Sequence, residues 1–251
     1  MSINLQKGQK IDLTKGGTGL RSVMVGLGWD EAQQGGFFRR TQPIDCDASV
    51  ILCGADGKIV SNNANECCVY FGNLRHSSGA IIHQGDNLTG AGEGDDEQIM
   101  VDLQRIPSNI DKLVFVVNIY DANVRNQHFG MIRNAFIRLV NMDNRTEICR
   151  FNLSENYHGM TGLVVGEIYR RNGEWKFNAI GSGFKNGLTA LCDKFGFPTS
   201  NSTQASPSSN KLSTSNRTST TSNKTSPKSI KYNNLDGIII KTGKTCDDDV
   251  N

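Results

Sequence analysis

The amino-acid sequence predicts an all-β fold, an antiparallel sandwich or barrel with short helices, followed by a disordered tail. Hydrophobic residues in the first two hundred positions recur mainly with a period of two, the period of a strand that buries one face. Glycine is abundant, at 27 residues against 5 prolines, and Gly, Asn and Asp cluster between the apolar runs. Many short strands joined by such turns are typical of a sandwich or a barrel.

The first clear strand spans residues 23–29, where Val, Leu and Trp alternate with Met and glycine, so that the large apolar side chains lie on one face. A second apolar run, residues 50–53, leads through Asp56 and Gly57 into residues 58–60. An Asp-Gly pair between two such runs predicts a hairpin.

The later strands follow at short intervals. The runs that predict them are residues 113–120, 135–140, 147–153, 166–171 and 174–180. The first of these is apolar on both faces and therefore predicts a central strand. Asn172 and Gly173 join the last two and are the strongest hairpin signal in the chain. Helical periodicity is convincing only near residues 188–192.

The predicted domain covers residues 1–197, and the predicted disordered tail covers residues 198–251. Of the 31 residues from 199 to 229, 18 are Ser or Thr, and Leu212 is the one aliphatic side chain larger than alanine. Such a segment cannot bury enough apolar surface to offset the entropy of ordering. Residues 235–240 form a short apolar island, which is either a docking peptide or, as we favour, a chance apolar patch.

Charge and cysteine content exclude several classes of protein. The formal net charge is +2, without the strong basic patch of a nucleic-acid-binding protein. No window approaches the roughly 18–20 apolar residues of a membrane span, and the N-terminus lacks the apolar core of a signal peptide. The seven cysteines are odd in number and include no C-x-x-C pair, which argues against a disulfide scaffold. We therefore expect a cytoplasmic protein with reduced thiols.

One glycine-rich acidic segment, residues 85–97, carries most of the chemical signal. It holds five carboxylates and one carboxamide, and residues 76–104 contain no Lys or Arg. Calcium takes about 6–8 oxygen ligands from carboxylates, amides, backbone carbonyls and water, so this set fits a calcium site. The spacing is not that of an EF-hand, and the alternative is a solvated turn. The candidate ligands in this segment are Asp86, Asn87, Gly90, Glu93, Asp95, Asp96 and Glu97.

A second set of acids is predicted to lie near the first. Asp30 follows the strand that ends at Trp29, and Asp45 and Asp47 are two residues apart, so both carboxylates face the same way in an extended chain. Loops from several strands meet at one end of a sandwich, where these acids could join the main loop. Aspartate at a strand end is also a common turn former, and this alternative stays open.

These residues resemble segments of the TerD family of tellurite-resistance and general stress proteins. The matching segments, in the same order, are residues 25–30, 45–49, 85–97, 135–141 and 166–177. The resemblance covers about residues 2–196 and excludes the tail. It implies a two-sheet β-sandwich, two calcium ions bound in the acidic loops, and a cytoplasmic stress-response role without an established catalytic activity.

Two departures from the family pattern concern the calcium sites. The family usually has an acid where this chain has Ala91. The family also commonly has acids just before its Phe/Tyr-rich segment, and at those positions this chain has Asn65 and Cys67. Because losing an oxygen ligand weakens a site, we expect lower affinity than is typical of the family and leave the occupancy of the second ion open.

Three functions follow from these patterns. The favoured one is a calcium-binding stress or signalling module that binds and does not catalyse, with a protein as a further possible partner. The second is a cyclic-nucleotide (cAMP) receptor, because some eukaryotic members of the family are described as cAMP-binding, although no phosphate-binding motif supports it here. The third is a metal-dependent hydrolase, for which no nucleophile or general base is visible. For His83, beside the acidic segment, we favour a surface or core role over that of a hydrogen-bonding neighbour of the segment.

Overall fold

The computed structural model describes residues 2–17, 19–31, 43–85, 94–153 and 155–197. The predicted tail and the middle of the acidic segment therefore lie outside the described residues. The remaining chain is built mostly from strands, and these form two six-stranded sheets.

The first sheet contains the strand predicted from residues 23–29. Its strands, in spatial order, are β1 (Ile3–Leu5), β10 (Thr146–Asn152), β9 (Ile132–Asn141), β3 (Ser22–Glu31), β7 (Glu97–Asp102) and β6 (Ile81–His83). All neighbours are antiparallel except β1 and β10, which are parallel, with Ile3 opposite Cys149. The single parallel pair lies at the edge of the sheet.

The second sheet contains the strand that is apolar on both faces. Its strands, in spatial order, are β2 (Lys10–Asp12), β12 (Glu174–Phe184), β11 (Gly162–Arg171), β8 (Lys112–Ile119), β4 (Cys46–Cys53) and β5 (Cys68–Val69). The central position of β8 confirms the prediction from residues 113–120. The hairpin of β11 and β12 is also confirmed, and Asn172 and Gly173 both have positive φ, at 53° and 79°.

Short helices complete the described fold. They are α1 (Ala64–Cys67), α2 (Ala122–Arg125) and α3 (Gly187–Phe195), together with two 3₁₀ turns at Lys15–Gly17 and Phe129–Met131. The helix predicted near residues 188–192 is α3. Among the described residues, no helix is both long enough and apolar enough to cross a membrane.

The predicted hairpin around Asp56 is only partly formed. The turn is present, because Oδ1 of Asp56 accepts a hydrogen bond from the amide of Lys58 at 2.9 Å. The chain after the turn is not a full strand, however, and Ile59 makes only an isolated bridge to Cys53. The Lys58 oxygen and the Val60 amide still hydrogen-bond to Gly54 and Leu52, while the amide of Ile59 donates to the backbone oxygen of Phe195 in α3.

Two apolar clusters are described. The larger fills the space between the sheets and includes Phe115 and Phe177. The smaller lies on the outer face of the second sheet, where α3 packs, and contains Cys53, Cys67, Cys68 and Cys192. All six described cysteines are free and buried, and burial raises the pKa of the Cys53, Cys67, Cys149 and Cys192 thiols to about 12.

Candidate metal centre

The predicted calcium ligands that the structure describes lie at one end of the sandwich. β3 ends and β7 begins at this end, where Leu27 is paired with Glu97. His83, the last residue of β6, connects the two sheets: its Nε2 lies 3.2 Å from the backbone oxygen of Ala48 in β4 and 3.1 Å from Oε2 of Glu97. The ends of strands from both sheets therefore meet here.

Part of the predicted ligand set lies outside the described residues: these are Asp86, Asn87, Gly90 and Glu93. The described chain stops at Gly85 and resumes at Gly94, whose φ values are 117° and 125°. Residues with side chains rarely adopt such values, so both ends of the acidic segment depend on glycine. Both glycines adjoin strands that reach the end of the sandwich described above.

Asp45 and Asp47 lie at the start of β4 and are nearly inaccessible to solvent, at 9% and 1% exposure. Cys46, Ala48 and Val50 face the core between the sheets, so strand alternation puts Asp47 on the outer face of the second sheet. Burying a carboxylate costs several kcal/mol unless a cation or hydrogen bonds compensate. Such a carboxylate is the group that a bound cation would stabilise.

Asn118 lies directly opposite Asp47 on the neighbouring strand β8. Directly opposed residues of an antiparallel pair have Cβ atoms about 4.5–5.5 Å apart, so the two side chains are neighbours. Asn118 is 5% exposed, and its Oδ1 has no hydrogen-bond partner among the described residues. The hydroxyl oxygen of Ser49, on the same face of β4, likewise lacks a partner in the described chain. Carboxylate, amide and hydroxyl oxygens thus gather on this face.

Glu97 faces the interior and is 1% exposed. His83 Nδ1 accepts a hydrogen bond from the amide of Gly85 at 3.1 Å, so the ring proton belongs on Nε2. That Nε2–H then points to Oε2 of Glu97 and to the backbone oxygen of Ala48. Both ring nitrogens are therefore engaged, and His83 holds Glu97 from the core side. His83 is therefore both buried and a hydrogen-bonding neighbour of the acidic segment, which combines the two roles that the sequence suggested.

Asp96 lies at the edge between β7 and β3. Its amide donates to the backbone oxygen of Leu27 at 2.8 Å, and its Oδ2 accepts from the amide of Trp29 at 2.7 Å. Burial raises the pKa of the Asp96 carboxyl, the Trp29 amide opposes the rise, and the charges of Asp30 and Asp95 add to it. The direction of the pKa shift shows that the Asp96 anion is in an unfavourable environment, which a nearby cation would relieve.

Asp95 has a different partner. Its carboxylate is 0% exposed and receives two hydrogen bonds from Arg138, from Nε to Oδ1 at 2.7 Å and from Nη2 to Oδ2 at 2.9 Å. The carboxylate rests on Gly26 of β3, where a Cβ would lie 2.3 Å from its oxygen. The described contacts give Asp95 an ion-pair role on the outer face of the first sheet. Its assignment as a calcium ligand stays a prediction.

Asp30 is exposed near the end of β3, and its Oδ2 accepts a hydrogen bond from Nδ2 of Asn134 at 2.7 Å. The described acids therefore occupy the two outer faces, the interior and the strand edge. Within the described residues, no group of three or more His, Cys, Asp or Glu side chains is arranged to hold a metal ion. A complete calcium site would need the oxygens of residues 86–93.

Asn65 and Cys67, where the family carries acids, lie in α1. Asn65 is exposed, and its backbone oxygen accepts a hydrogen bond from Nδ2 of Asn73 at 3.1 Å. Cys67 is buried in the outer apolar cluster of the second sheet. Cys67 therefore packs as an apolar residue, and the occupancy of a second calcium site stays open.

Sequence reasoning missed two residues of this region, Asn118 and Arg138. Asn118 had a signal, since it is the one polar side chain within the apolar run of residues 113–119. Arg138 had none, because its pairing with Asp95 depends on the register of β9 against β3.

Comparison with known proteins gives a consistent picture. Residues 1–195 match the family model of the TerD domain. Stress response protein SCP2 of Bacillus subtilis (strain 168) is 54% identical over 189 residues, which cover 73% of this chain and 93% of the relative. General stress protein 16U of the same organism is 47% identical, covering 78% of this chain and 98% of the relative. Tellurium resistance protein TerD of Serratia marcescens is 43% identical, covering 80% and 100%.

Solved structures support the fold. A homologue of telluride resistance protein (TerD) from Streptomyces coelicolor A3(2) superposes with a TM-score of 0.51 at 24% identity, covering 69% of this chain and 95% of the homologue. A protein of unknown function gives a TM-score of 0.54 at 23% identity, covering 72% of this chain and 99% of that protein. At these identities the similarity concerns the fold alone.

Proposed function

This chain belongs to the TerD domain family, and we propose that it is a stress-response protein that binds calcium at the acidic end of its sandwich and acts by binding rather than by catalysis. The names of the relatives, which include general stress and tellurium resistance proteins, support the stress-response part. The calcium part depends on the oxygen ligands of this chain.

The observation that carries the calcium proposal is the pair formed by Asp47 and Asn118. A carboxylate at 1% exposure lies opposite a buried amide whose Oδ1 has no partner among the described residues. Calcium prefers carboxylate and amide oxygens, and it would supply a partner for the buried Asn118 Oδ1 beside the Asp47 carboxylate. The donor set therefore fits the ion.

The remaining ligands would come from the acidic segment. Asp45 and Asp47 on one side, and Asp30 and Asp96 on the other, form two separate groups of carboxylates, which supports two ions. Residues 86–93 would contribute Asp86, Asn87, the backbone oxygen of Gly90, and Glu93. Asp95 stays a predicted ligand, but the proposal does not depend on it, because Arg138 pairs with its carboxylate.

Binding without catalysis is supported by the state of His83. A general base needs a free lone pair within reach of a proton. The Nδ1 lone pair of His83 accepts from Gly85, and its Nε2–H is directed at Glu97 and Ala48. The imidazole beside the acidic residues is thus used for structure, which disfavours a metal-dependent hydrolase.

A cytoplasmic location is part of the proposal. All six described cysteines are free and buried, and proteins that keep many thiols reduced are typical of a reducing compartment. The seventh, Cys246, lies outside the described residues.

Calorimetric titration of the chelator-treated protein tests the calcium proposal. We expect saturable calcium binding and a clear rise of the melting temperature, because a ligand at about 100 times its Kd adds roughly 2.7 kcal/mol to the free energy of unfolding. Magnesium should shift melting much less, since it gives up its water reluctantly. Equal shifts with both ions would reduce the effect to general charge neutralisation and would contradict the proposal.

The same titration with cyclic AMP added tests the second ligand that the sequence suggested. No described contact at the acidic end favours a nucleotide, so we expect no nucleotide-induced shift of melting there. A nucleotide response without a calcium response would replace calcium by the cyclic nucleotide as the ligand of this protein.

A further inference from the structure

A pocket of about 350 Å³ opens on the outer face of the second sheet, away from the acidic end. It is lined at one side by Lys112, the first residue of β8, which pairs with Cys53 at the far end of β4. Asp47 and Cys53 are six residues apart on β4, so this edge of the pocket is roughly 20 Å from Asp47 at about 3.4 Å per residue. None of the described residues proposed as calcium ligands lines the pocket.

The floor of the pocket is apolar. It is made by Val114, Val164 and Ile180, from three neighbouring strands, and by Phe195 of α3. A volume of about 350 Å³ lies near the lower end of the range for small-molecule sites, about 300–1,000 Å³. An apolar floor of this size fits a compact organic ligand better than a lone inorganic ion.

Three lysines, Lys58, Lys112 and Lys194, line the pocket. Lys58 is fixed, because its Nζ donates to the backbone oxygen of Lys194 at 2.7 Å. Lys112 lies beside the turn, where its Nζ would be 3.4 Å from a Cβ added to Gly57. Among the described residues, none of the three forms an ion pair.

Two carboxylates also line the pocket, and both are already engaged. Asp56 accepts from the amide of Lys58 at 2.9 Å, and Glu167 accepts from Nδ2 of Asn178 at 2.9 Å. The lysines therefore outnumber the acids and lack carboxylate partners, so the pocket carries a net positive charge above an apolar floor.

We propose that this pocket binds a small organic anion, with its phosphate or carboxylate group on Lys112 and Lys194 and its apolar body on Val114, Val164 and Ile180. Lysine binds such anions as a compact point charge, and partial desolvation by the apolar walls strengthens the attraction. The apolar body of the ligand would cover the apolar floor of the pocket, and the burial of both surfaces would add to the affinity.

The test uses 1-naphthyl phosphate as the probe, measured by calorimetry on the full chain with chelator present. The comparison ligands are 1-naphthoate, uncharged 1-naphthol and inorganic phosphate. We expect both naphthyl anions to bind more tightly than naphthol or inorganic phosphate, and the tighter of the two anions identifies the head group. Naphthol or inorganic phosphate binding as tightly as both naphthyl anions would overturn the proposal.

The decisive variant is the double change Lys112→Gln and Lys194→Gln, which leaves the Lys58 contact to α3 intact. We expect it to weaken binding of the naphthyl anions on the order of tenfold or more, about 1.4 kcal/mol for each tenfold, and to leave naphthol unchanged. The control is Lys10→Gln with Lys185→Gln, two exposed lysines outside the pocket, which should alter binding less than about twofold. Equal affinity of the decisive variant and the wild-type protein would overturn the proposal.

A second measurement needs no variant. Amide chemical shifts in the unmodified protein should move on titration with 1-naphthyl phosphate at Gly57, Val164 and Ser182. Chemical-shift changes confined to the acidic end, at Asp45 and Asp47, would overturn the assignment to this pocket. The calcium proposal would be unaffected, because the calcium titration tests it separately.

Discussion

Three consecutive carboxylates at the start of β7 have three different environments. Asp95 points to the outer face of the first sheet and is held by Arg138, whereas Glu97 points inward to His83. Asp96, between them, lies at the strand edge against the amide of Trp29. Asp95 and Asp96 precede β7, which begins at Glu97, so regular strand alternation does not govern the three side chains, and this run of acids does not form one ligand set.

The first prediction concerns Asp96. Asp96→Asn keeps the shape of the side chain but removes a negative charge that the proposed ion would neutralise. Calcium affinity depends on the charge of the ligands, so we expect a loss on the order of tenfold or more, measured by calorimetric titration.

Asp56→Asn is the matched control for this change. Asp56 forms the turn after β4 through its hydrogen bond to the amide of Lys58, an interaction that the asparagine oxygen can replace. Its calcium affinity should stay within about twofold of the wild-type value, because the side chain makes no described contact at the acidic end. If the two variants behave alike, Asp96 is not a ligand.

At the scale of elements, β3 is the strand that determines how closely the outer face of the first sheet packs. Gly26 lies beneath Asp95, and Gly28 lies beneath the ring of Phe136, where added Cβ atoms would come within 2.3 Å and 2.4 Å of their neighbours. The sequence showed the alternation of β3 correctly. It could not show that the glycine face is also covered, because the covering residues come from β9 and from the start of β7, far apart in the chain.

The second prediction tests this close packing. Gly26→Ala should push the Asp95 carboxylate away from Arg138 and lower the free energy of unfolding by about 1–3 kcal/mol, as overpacking typically does. Urea denaturation measures the change. Gly54→Ala is the control: its Cβ would meet its nearest neighbour at 3.5 Å, an ordinary contact, so its urea midpoint should stay close to that of the wild type. Equal urea midpoints of the two variants would show that the sheet accommodates a Cβ at Gly26 without losing stability.

For the whole molecule, local patterns predicted the strands, the central position of β8 and the β11–β12 hairpin: period two, an apolar run and an Asn-Gly turn. The choice of a two-sheet sandwich over a barrel came from the resemblance to the TerD family. The sequence did not predict β7 or the pocket above the second sheet. β7 begins inside the acidic segment, whose charges obscured its alternation, and the pocket is lined by Lys112 and Lys194, which are far apart in sequence. Long-range juxtaposition is the information that a single sequence lacks.

The C-terminal boundary of the folded body is the subject of the last prediction. Phe195 and Phe197 are each 5% exposed and belong to the apolar cluster on the outer face of the second sheet. The backbone of this segment is held as well, since the amide of Phe197 donates to the oxygen of Cys192 and the oxygen of Phe195 accepts from the amide of Ile59. The body must therefore extend at least to Phe197.

Two truncated chains test this boundary by urea denaturation and calcium titration. A chain ending at Phe197 should keep the stability and calcium affinity of the full chain, because residues 198–251 are too polar in composition to add a substantial apolar core. A chain ending at Lys194 should lose more than about 3 kcal/mol, since removing even one buried phenylalanine side chain costs about 3–5 kcal/mol. Loss of stability or of calcium affinity already at Phe197 would mean that the tail packs on the body, and residues 235–240 would then be the docking peptide that we set aside.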